Sequence, residues 1–170
     1  MSTTTDRERS RRFESQRERL RAQYLLPADR RPASTARGLH HTALLSSDVE
    51  TTIRFYQDLL GFPLTELIEN RDYPARPTSS STSATATCSR SSTSPGLDVG
   101  PYREVLGGLH HIAISVAPDR WDRLRSALGD AGGVAVEEHS GVSLYFRDPD
   151  GARVELIADP LGEMYGHHVL

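Results

Sequence analysis

Gly38-Leu39-His40-His41-Thr42-Ala43-Leu44 returns seventy residues later as Gly108-Leu109-His110-His111-Ile112-Ala113-Ile114. Such internal repetition predicts two copies of one supersecondary unit. In the second copy large and small residues alternate over residues 112–116, which is the period of a half-buried strand. The large residues then face packed material, so His111 faces the side with small neighbours. The same alternation puts His41 on the corresponding face of the first copy.

Composition and charge limit the classes of function. The chain has 170 residues, enough for one domain or for two small modules that share a core. Its net charge of −3 gives no case for non-specific nucleic-acid binding. The single cysteine, Cys88, excludes an intramolecular disulfide and favours a reducing compartment. No apolar run has membrane-spanning length and the first residues lack a secretory signal, so we expect a soluble, cytoplasmic protein.

The two ends of the chain differ from its middle. Residues 1–37 carry ten arginines against five acidic residues, and we interpret them as a charged N-terminal arm that is disordered or helical. Disorder is expected over residues 1–12 and a helix over residues 13–26, followed by a linker. Residues 161–170, which include His167 and His168, are expected to form a solvated C-terminal tail.

The second module, residues 108–160, is complete in pattern. A strand over residues 111–116 precedes a helix that begins at Pro118, and the apolar face of this helix is formed by Trp121, Leu124, Leu128 and Ala131. Three further strands are predicted over residues 134–138, 142–147 and 152–158, with a strong turn signal at Asp148-Pro149-Asp150-Gly151. The unit is therefore βαβββ.

The first module, residues 38–95, begins in the same way. A strand over residues 41–46 leads to a helix that Ser47 or Asp48 can cap and that Gly61 can end, and a strand follows over residues 62–69. The fold class is then α+β, with two βαβββ modules forming a shared eight-stranded cup. The hairpin of the first module, residues 76–94, is degenerate.

That degenerate stretch contains almost only Ser, Thr, Ala, Pro and Arg, and it predicts a disordered loop although its length fits two strands. One permitted choice of codons for residues 78–94, read two bases along, encodes Leu-Phe-Phe-Asp-Ile-Gly-Asn-Gly-Asn-Leu-Leu-Ala-Phe-Phe-Asp-Phe. This peptide is a strand, a turn and a strand. We therefore state the hypothesis that the stretch results from a local shift of reading frame.

Chemistry is expected on the face that carries the two repeated histidines. If Val154 and Leu156 pack on the helix, Glu155 lies beside His111, and burying a carboxyl group is costly unless it is paired or metal-bound. His41, His111 and Glu155 form a donor set that suits Fe(II), Mn(II) or Zn(II) with open positions for substrate. His139, in a predicted loop, could serve as acid or base. By alternation, His40 and His110 point to the opposite face.

Residues 38–70 and 96–160 resemble the vicinal oxygen chelate superfamily, which includes glyoxalase I, bleomycin and fosfomycin resistance proteins and extradiol dioxygenases. The resemblance rests on four stretches and one carboxyl residue: Gly38-Leu39-His40-His41, Phe55-Tyr56-Gln57-Asp58-Leu59-Leu60-Gly61-Phe62, Gly108-Leu109-His110-His111, Tyr145-Phe146-Arg147-Asp148-Pro149-Asp150-Gly151 and Glu155. It implies paired βαβββ modules around a divalent metal. The ligands of the extradiol dioxygenases fall on His41, His111 and Glu155, and a tyrosine that touches their substrate falls on Tyr145.

Three functions are compatible with this resemblance. The first is an extradiol-dioxygenase-like oxidoreductase that uses Fe(II) and acts on a small substrate with vicinal oxygens. Residues 76–94 lack a histidine that such dioxygenases usually carry, so a glyoxalase- or epimerase-like lyase or isomerase is the alternative. A non-catalytic small-molecule binding or resistance protein is the third. The expected partner is a small molecule, neither nucleic acid nor membrane, and a homodimer is left open.

Overall fold

The computed structural model describes residues 3–36, 39–69, 77–83, 86–92, 100, 102–132, 136–164 and 167–168. It divides into two compact units, Met1–Gly38 and Leu39–Leu170. The first unit contains helix α1 (Thr3–Tyr24) and a short 3-10 turn (Ala28–Arg30). The arm therefore contains a helix over Thr3–Tyr24. No described helix is both long and apolar enough to cross a membrane.

The first module opens with strand β1 (His41–Ser46) and helix α2 (Val49–Arg54), which widens into a π-helical turn over Phe55–Leu59. Asp48 caps α2, because its carboxylate Oδ1 accepts a hydrogen bond of 2.9 Å from the Thr51 N–H. Gly61 ends the helix with a φ of +68°, a conformation that glycine adopts without steric cost. Strand β2 (Leu64–Glu69) follows.

The serine- and threonine-rich stretch forms two strands, β3 (Pro77–Ser83) and β4 (Ala86–Ser92). The expectation of a disordered loop is therefore wrong for these residues, while residues 76, 84, 85, 93 and 94 lie outside the described ones. The sheet order is β1-β4-β3-β2, and β4 runs parallel to β1. Strand pairing joins backbone groups, which every residue except proline supplies in full, so it does not require large side chains. The composition of this stretch therefore does not prevent its backbone from forming strands.

The second module repeats this arrangement. Its elements are β5 (Ile112–Ser115), α3 (Pro118–Asp130), β6 (Glu137–His139), β7 (Ser143–Arg147) and β8 (Arg153–Ile157). The sheet order is β5-β8-β7-β6, with β8 parallel to β5, which is the order of the first module. The predicted α+β fold of two βαβββ modules is confirmed, and the eight strands form two four-stranded sheets. Residues 133–135, part of one predicted strand, lie outside the described residues.

The core lies between α3 and the second sheet. Its fully buried members come from both sides: Leu128 from α3, and Leu144, Val154 and Leu156 from the strands. Complete burial of one such side chain stabilises the fold by about 1.5–3 kcal/mol. Tyr56 from the first module packs into the same core. Ala131, predicted to belong to the apolar face of α3, is exposed.

Two carboxyl groups of the Asp148–Gly151 turn bind the first module to the second. The Tyr56 hydroxyl donates to Asp148 Oδ2 at 3.1 Å. The Ser47 N–H and hydroxyl both donate to Asp150 Oδ1, at 2.9 and 2.6 Å. The sequence predicted only a turn here, but the turn also anchors the start and the middle of the first module's helix.

The C-terminal residues are partly ordered. Strands β9 (Glu163–Met164) and β10 (His167–His168) pair antiparallel in a small sheet of their own. Both histidines are exposed, so these two strands lie in contact with solvent.

Candidate metal centre

His111 and Glu155 meet on the face of the second sheet that is turned away from α3. Strand β8 buries Val154 and Leu156 against the core, with exposures of 1% and 0%, so the side chain between them takes the other face. Glu155 lies opposite Ala113 of the parallel strand β5, which places it near His111. The His111 Nε2 atom is 3.1 Å from Glu155 Oε2. Glu155 is only 4% exposed, so this imidazole is a close polar partner of a buried carboxyl group.

Each doubled histidine forms an internal contact. His110 Nδ1 and His111 Nδ1 are 2.6 Å apart, and His40 Nδ1 and His41 Nδ1 are 2.8 Å apart. At these distances one ring nitrogen of each pair donates a hydrogen bond and the other accepts it, which orients the two rings relative to each other. For His111 this leaves Nε2 directed at Glu155. Alternation placed His40 and His110 on the opposite face, whereas in the structure the ring of each contacts that of the following histidine.

Tyr145 lies at the centre of the same face. Its position on β7 is directly opposite Glu155 on β8. The centroid of its ring is 5.6 Å from that of His111 and 5.4 Å from that of His139, with both contacts edge-on. His139 ends strand β6, so its predicted position in a loop is wrong, and its side chain is 60% exposed.

A cavity of about 260 Å³ adjoins the His111–Glu155 pair. Its wall includes Ser115, Asp159 and Glu163, so residues after β8 close one side of the site. The Ser115 hydroxyl donates to the Asp159 backbone carbonyl at 2.7 Å. Among the described residues, Asp159 Oδ2 is buried without a hydrogen-bond partner. An unsatisfied buried acceptor is uncommon, which makes this cavity suited to a ligand or ion that supplies positive charge or a donor.

His41 is not gathered with the other two predicted ligands. It is exposed at the start of β1, where its ring contacts that of His40. Over the described part of the chain no three histidine, cysteine, aspartate or glutamate side chains come close enough to hold a metal ion together. The His111–Glu155 pair has the chemistry of two ligands of a divalent cation, an imidazole nitrogen and a carboxyl oxygen. The structure therefore brings together two of the three predicted ligands.

Comparison with known proteins identifies the family. Residues 38–156 match the family model of the Glyoxalase/Bleomycin resistance protein/Dioxygenase superfamily, and the chain belongs to this family. The match spans both modules, including the doubled histidines and Glu155. A search of curated proteins found no match.

Solved structures share the fold. Fosfomycin resistance protein FosX from Mesorhizobium loti is 18% identical with a TM-score of 0.57, over 75% of this chain and 95% of that one. A glyoxylase/bleomycin resistance protein/dioxygenase domain from Frankia sp. EAN1pec is 20% identical with a TM-score of 0.60, over 74% and 100%. A variant of FosX from Listeria monocytogenes, 19% identical with a TM-score of 0.58 over 75% and 96%, was crystallised with Mn(II) and 1S,2S-dihydroxypropylphosphonic acid.

Proposed function

We propose that the chain is a divalent-metal-dependent enzyme that acts on a small molecule with two vicinal oxygens, in the manner of extradiol dioxygenases. The observation that carries this proposal is the 3.1 Å pair of His111 Nε2 and the buried Glu155 Oε2 beside a cavity. A buried carboxyl group whose neighbour is an imidazole is the arrangement that a metal ion would use. Fe(II) is the favoured ion, with Mn(II) or Zn(II) as alternatives, and Mn(II) is present in the FosX structure described above.

His41 is the proposed third ligand. It lies at the start of β1, the counterpart in the first module of the strand that follows His111. Because His41 is exposed, it is available to bind a metal ion held by its own chain or by a second copy of the chain. Mixing His41→Ala with Glu155→Ala chains separates these two arrangements. If sites form between copies, the mixture regains activity because one site in it keeps all three ligands. If each site forms within one chain, the mixture stays inactive.

The residues around the pair have definable roles in such an enzyme. The bound metal would supply a Lewis acid for two neighbouring oxygens and a path for electrons to dioxygen. His110 holds the ring of His111 through the 2.6 Å contact between their Nδ1 atoms. The Tyr145 hydroxyl would donate a hydrogen bond to a substrate oxygen, and His139 would exchange a proton with the substrate. Leu144 and Phe146, buried on the opposite face of β7, hold Tyr145 in place.

The test is oxygen uptake by protein reconstituted anaerobically with Fe(II) and then given catechol. Consumption of oxygen by the wild-type chain but not by Glu155→Ala or His111→Ala supports the dioxygenase. The glyoxalase- or epimerase-like alternative predicts no oxygen uptake. It predicts instead that the chain with Mn(II) catalyses exchange of a carbon-bound proton of a hydroxyketone. Absence of measurable divalent-ion affinity in the wild-type chain would reject both enzymes and leave the binding protein.

A further inference from the structure

A second cavity lies on the same face of the sheet, on the other side of Tyr145. Its volume is about 250 Å³ and its lining includes His139, Ser143, Tyr145 and Arg153. On β8 the alternation places Arg153 on the face of Glu155, two residues earlier. Given the proposed function, we infer that this cavity binds an anionic group, a carboxylate or a phosphonate, of the same substrate whose vicinal oxygens lie at His111 and Glu155.

Arg153 is held in position for this task. Its side chain is 25% exposed, and its guanidinium carbon lies 4.7 Å above the centroid of the Tyr145 ring. Contact with an aromatic face restricts the guanidinium group, whose planar fork carries five N–H donors. Such a fork matches the two oxygens of a carboxylate or phosphonate, and charge-assisted pairs of this kind are the strong class of hydrogen bond.

The acidic partner of Arg153 is loosely bound. Glu137 Oε2 is 3.6 Å from Arg153 Nη2, longer than a normal hydrogen bond, and the Glu137 side chain is 68% exposed. The same carboxyl oxygen is 4.0 Å from His139 Nε2. Ion pairs of exposed groups contribute little stability, because water and salt screen them. An anionic substrate group can therefore displace Glu137 and take up the contacts with Arg153 and His139.

The two cavities differ in charge, and this sets the direction in which a substrate binds. The cavity beside His111 contains Asp159 and Glu163, which repel an anion, whereas the cavity beside His139 contains Arg153. Two residues along a strand span about 7 Å, which is the separation of the Arg153 and Glu155 Cα atoms. One aromatic ring or a short carbon chain bridges that distance. The substrate class is thus a vicinal diol, diolate or hydroxyketone with an anionic group on a short arm.

The experiment compares two ligands that share their hydroxyl groups. Anaerobic calorimetry on the full chain loaded with Mn(II) gives the Kd of catechol and of dihydroxyphenylacetate, which adds a carboxylate to the same ring. We expect the wild-type chain to prefer dihydroxyphenylacetate by roughly tenfold to a hundredfold, the range of a charge-assisted pair. Arg153→Gln should abolish the preference for dihydroxyphenylacetate over catechol, and Arg153→Lys should keep part of it.

A matched control is Arg125→Gln, because Arg125 also lies over an aromatic ring, 5.9 Å from the centroid of Trp121, but on α3. This variant should keep the preference. An equal preference in Arg153→Gln and wild type, or no preference in wild type, overturns the inference.

A second probe distinguishes failure of the metal proposal from failure of the anion site. If neither diol binds, methylphosphonate is titrated against the metal-free chain while the arginine Nε–H signals are followed by nuclear magnetic resonance. A shifted signal that is missing in Arg153→Gln supports the anion site without the metal. If no arginine signal shifts, the anion site is rejected, whatever the metal result.

Discussion

Replacing Glu155 by leucine tests whether its carboxyl group binds a metal ion or only supports the fold. Glu155 is 4% exposed between the buried residues Val154 and Leu156, and its close polar partner is His111. Leucine has a similar volume, and removing one partner of a buried pair is destabilising chiefly where it leaves the other partner buried and unpaired. His111, with a side chain 31% exposed, can turn to water when the carboxyl group is lost. We therefore expect the free energy of unfolding of the metal-free chain to stay level or to rise by about 1 kcal/mol.

Metal binding should change in the opposite direction. Loss of a partner outside the metal shell already weakens metal affinity by about 10- to 100-fold, so loss of a direct ligand should exceed about 100-fold. Thermal unfolding with a chelator and then with saturating Mn(II) measures both effects, because a ligand that binds only the folded state raises the melting temperature. The wild-type melting temperature should rise with Mn(II), and that of Glu155→Leu should not. Glu138→Leu, which removes an exposed carboxyl group on β6 of the same sheet, is the control and should respond like wild type. A variant that melts several degrees lower without metal, yet keeps the Mn(II) response, would show that Glu155 is structural and refute the metal site.

Three further predictions concern neighbouring contacts. His110→Ala should weaken Mn(II) binding by roughly tenfold while hardly changing the melting temperature, since His110 orients His111 but is exposed; an unchanged Kd by calorimetry contradicts this. Asp150→Ala removes the acceptor of two hydrogen bonds from Ser47 and should lower the free energy of unfolding by about 1–3 kcal/mol in urea, whereas a loss below the error of the fit would show that the turn does not anchor the first module. Replacing residues 79–94 with the sixteen-residue peptide of the second reading frame should raise the melting temperature by several degrees, and a lower melting temperature, or gene codons that do not encode that peptide, would end the frame-shift hypothesis.

Local periodicity accounts for what the sequence could predict. Alternation over residues 111–116 and 152–158 predicts both strands and, if Val154 and Leu156 pack on the helix, the common face of His111 and Glu155, because successive side chains of a strand point to opposite faces. The relation between the modules has no such local signal. It depends on contacts such as that of Ser47 with Asp150, which lie 103 positions apart. The sequence could therefore propose three ligands but could not show that His111 and Glu155 lie together without His41. The stacking of Arg153 on Tyr145 joins two strands and was missed for the same reason.

Strands β3 and β4 show a conflict between backbone and composition. Helix α2 lies against both strands, and a sheet that supports a helix normally offers large apolar side chains to it. The sequence of β3 and β4 has none, and Leu45, Leu67 and Ile68 of the adjoining strands are about half exposed. The backbone nevertheless has the strand order of the complete second module, with β3 ending at Ser83 and β4 beginning at Ala86. In the second reading frame the Gly-Asn-Gly turn falls between two apolar runs at this same place. One base lost before residue 78 and one gained near residue 95 would leave the length of the hairpin unchanged and replace only its side chains, which is the combination that the first module presents.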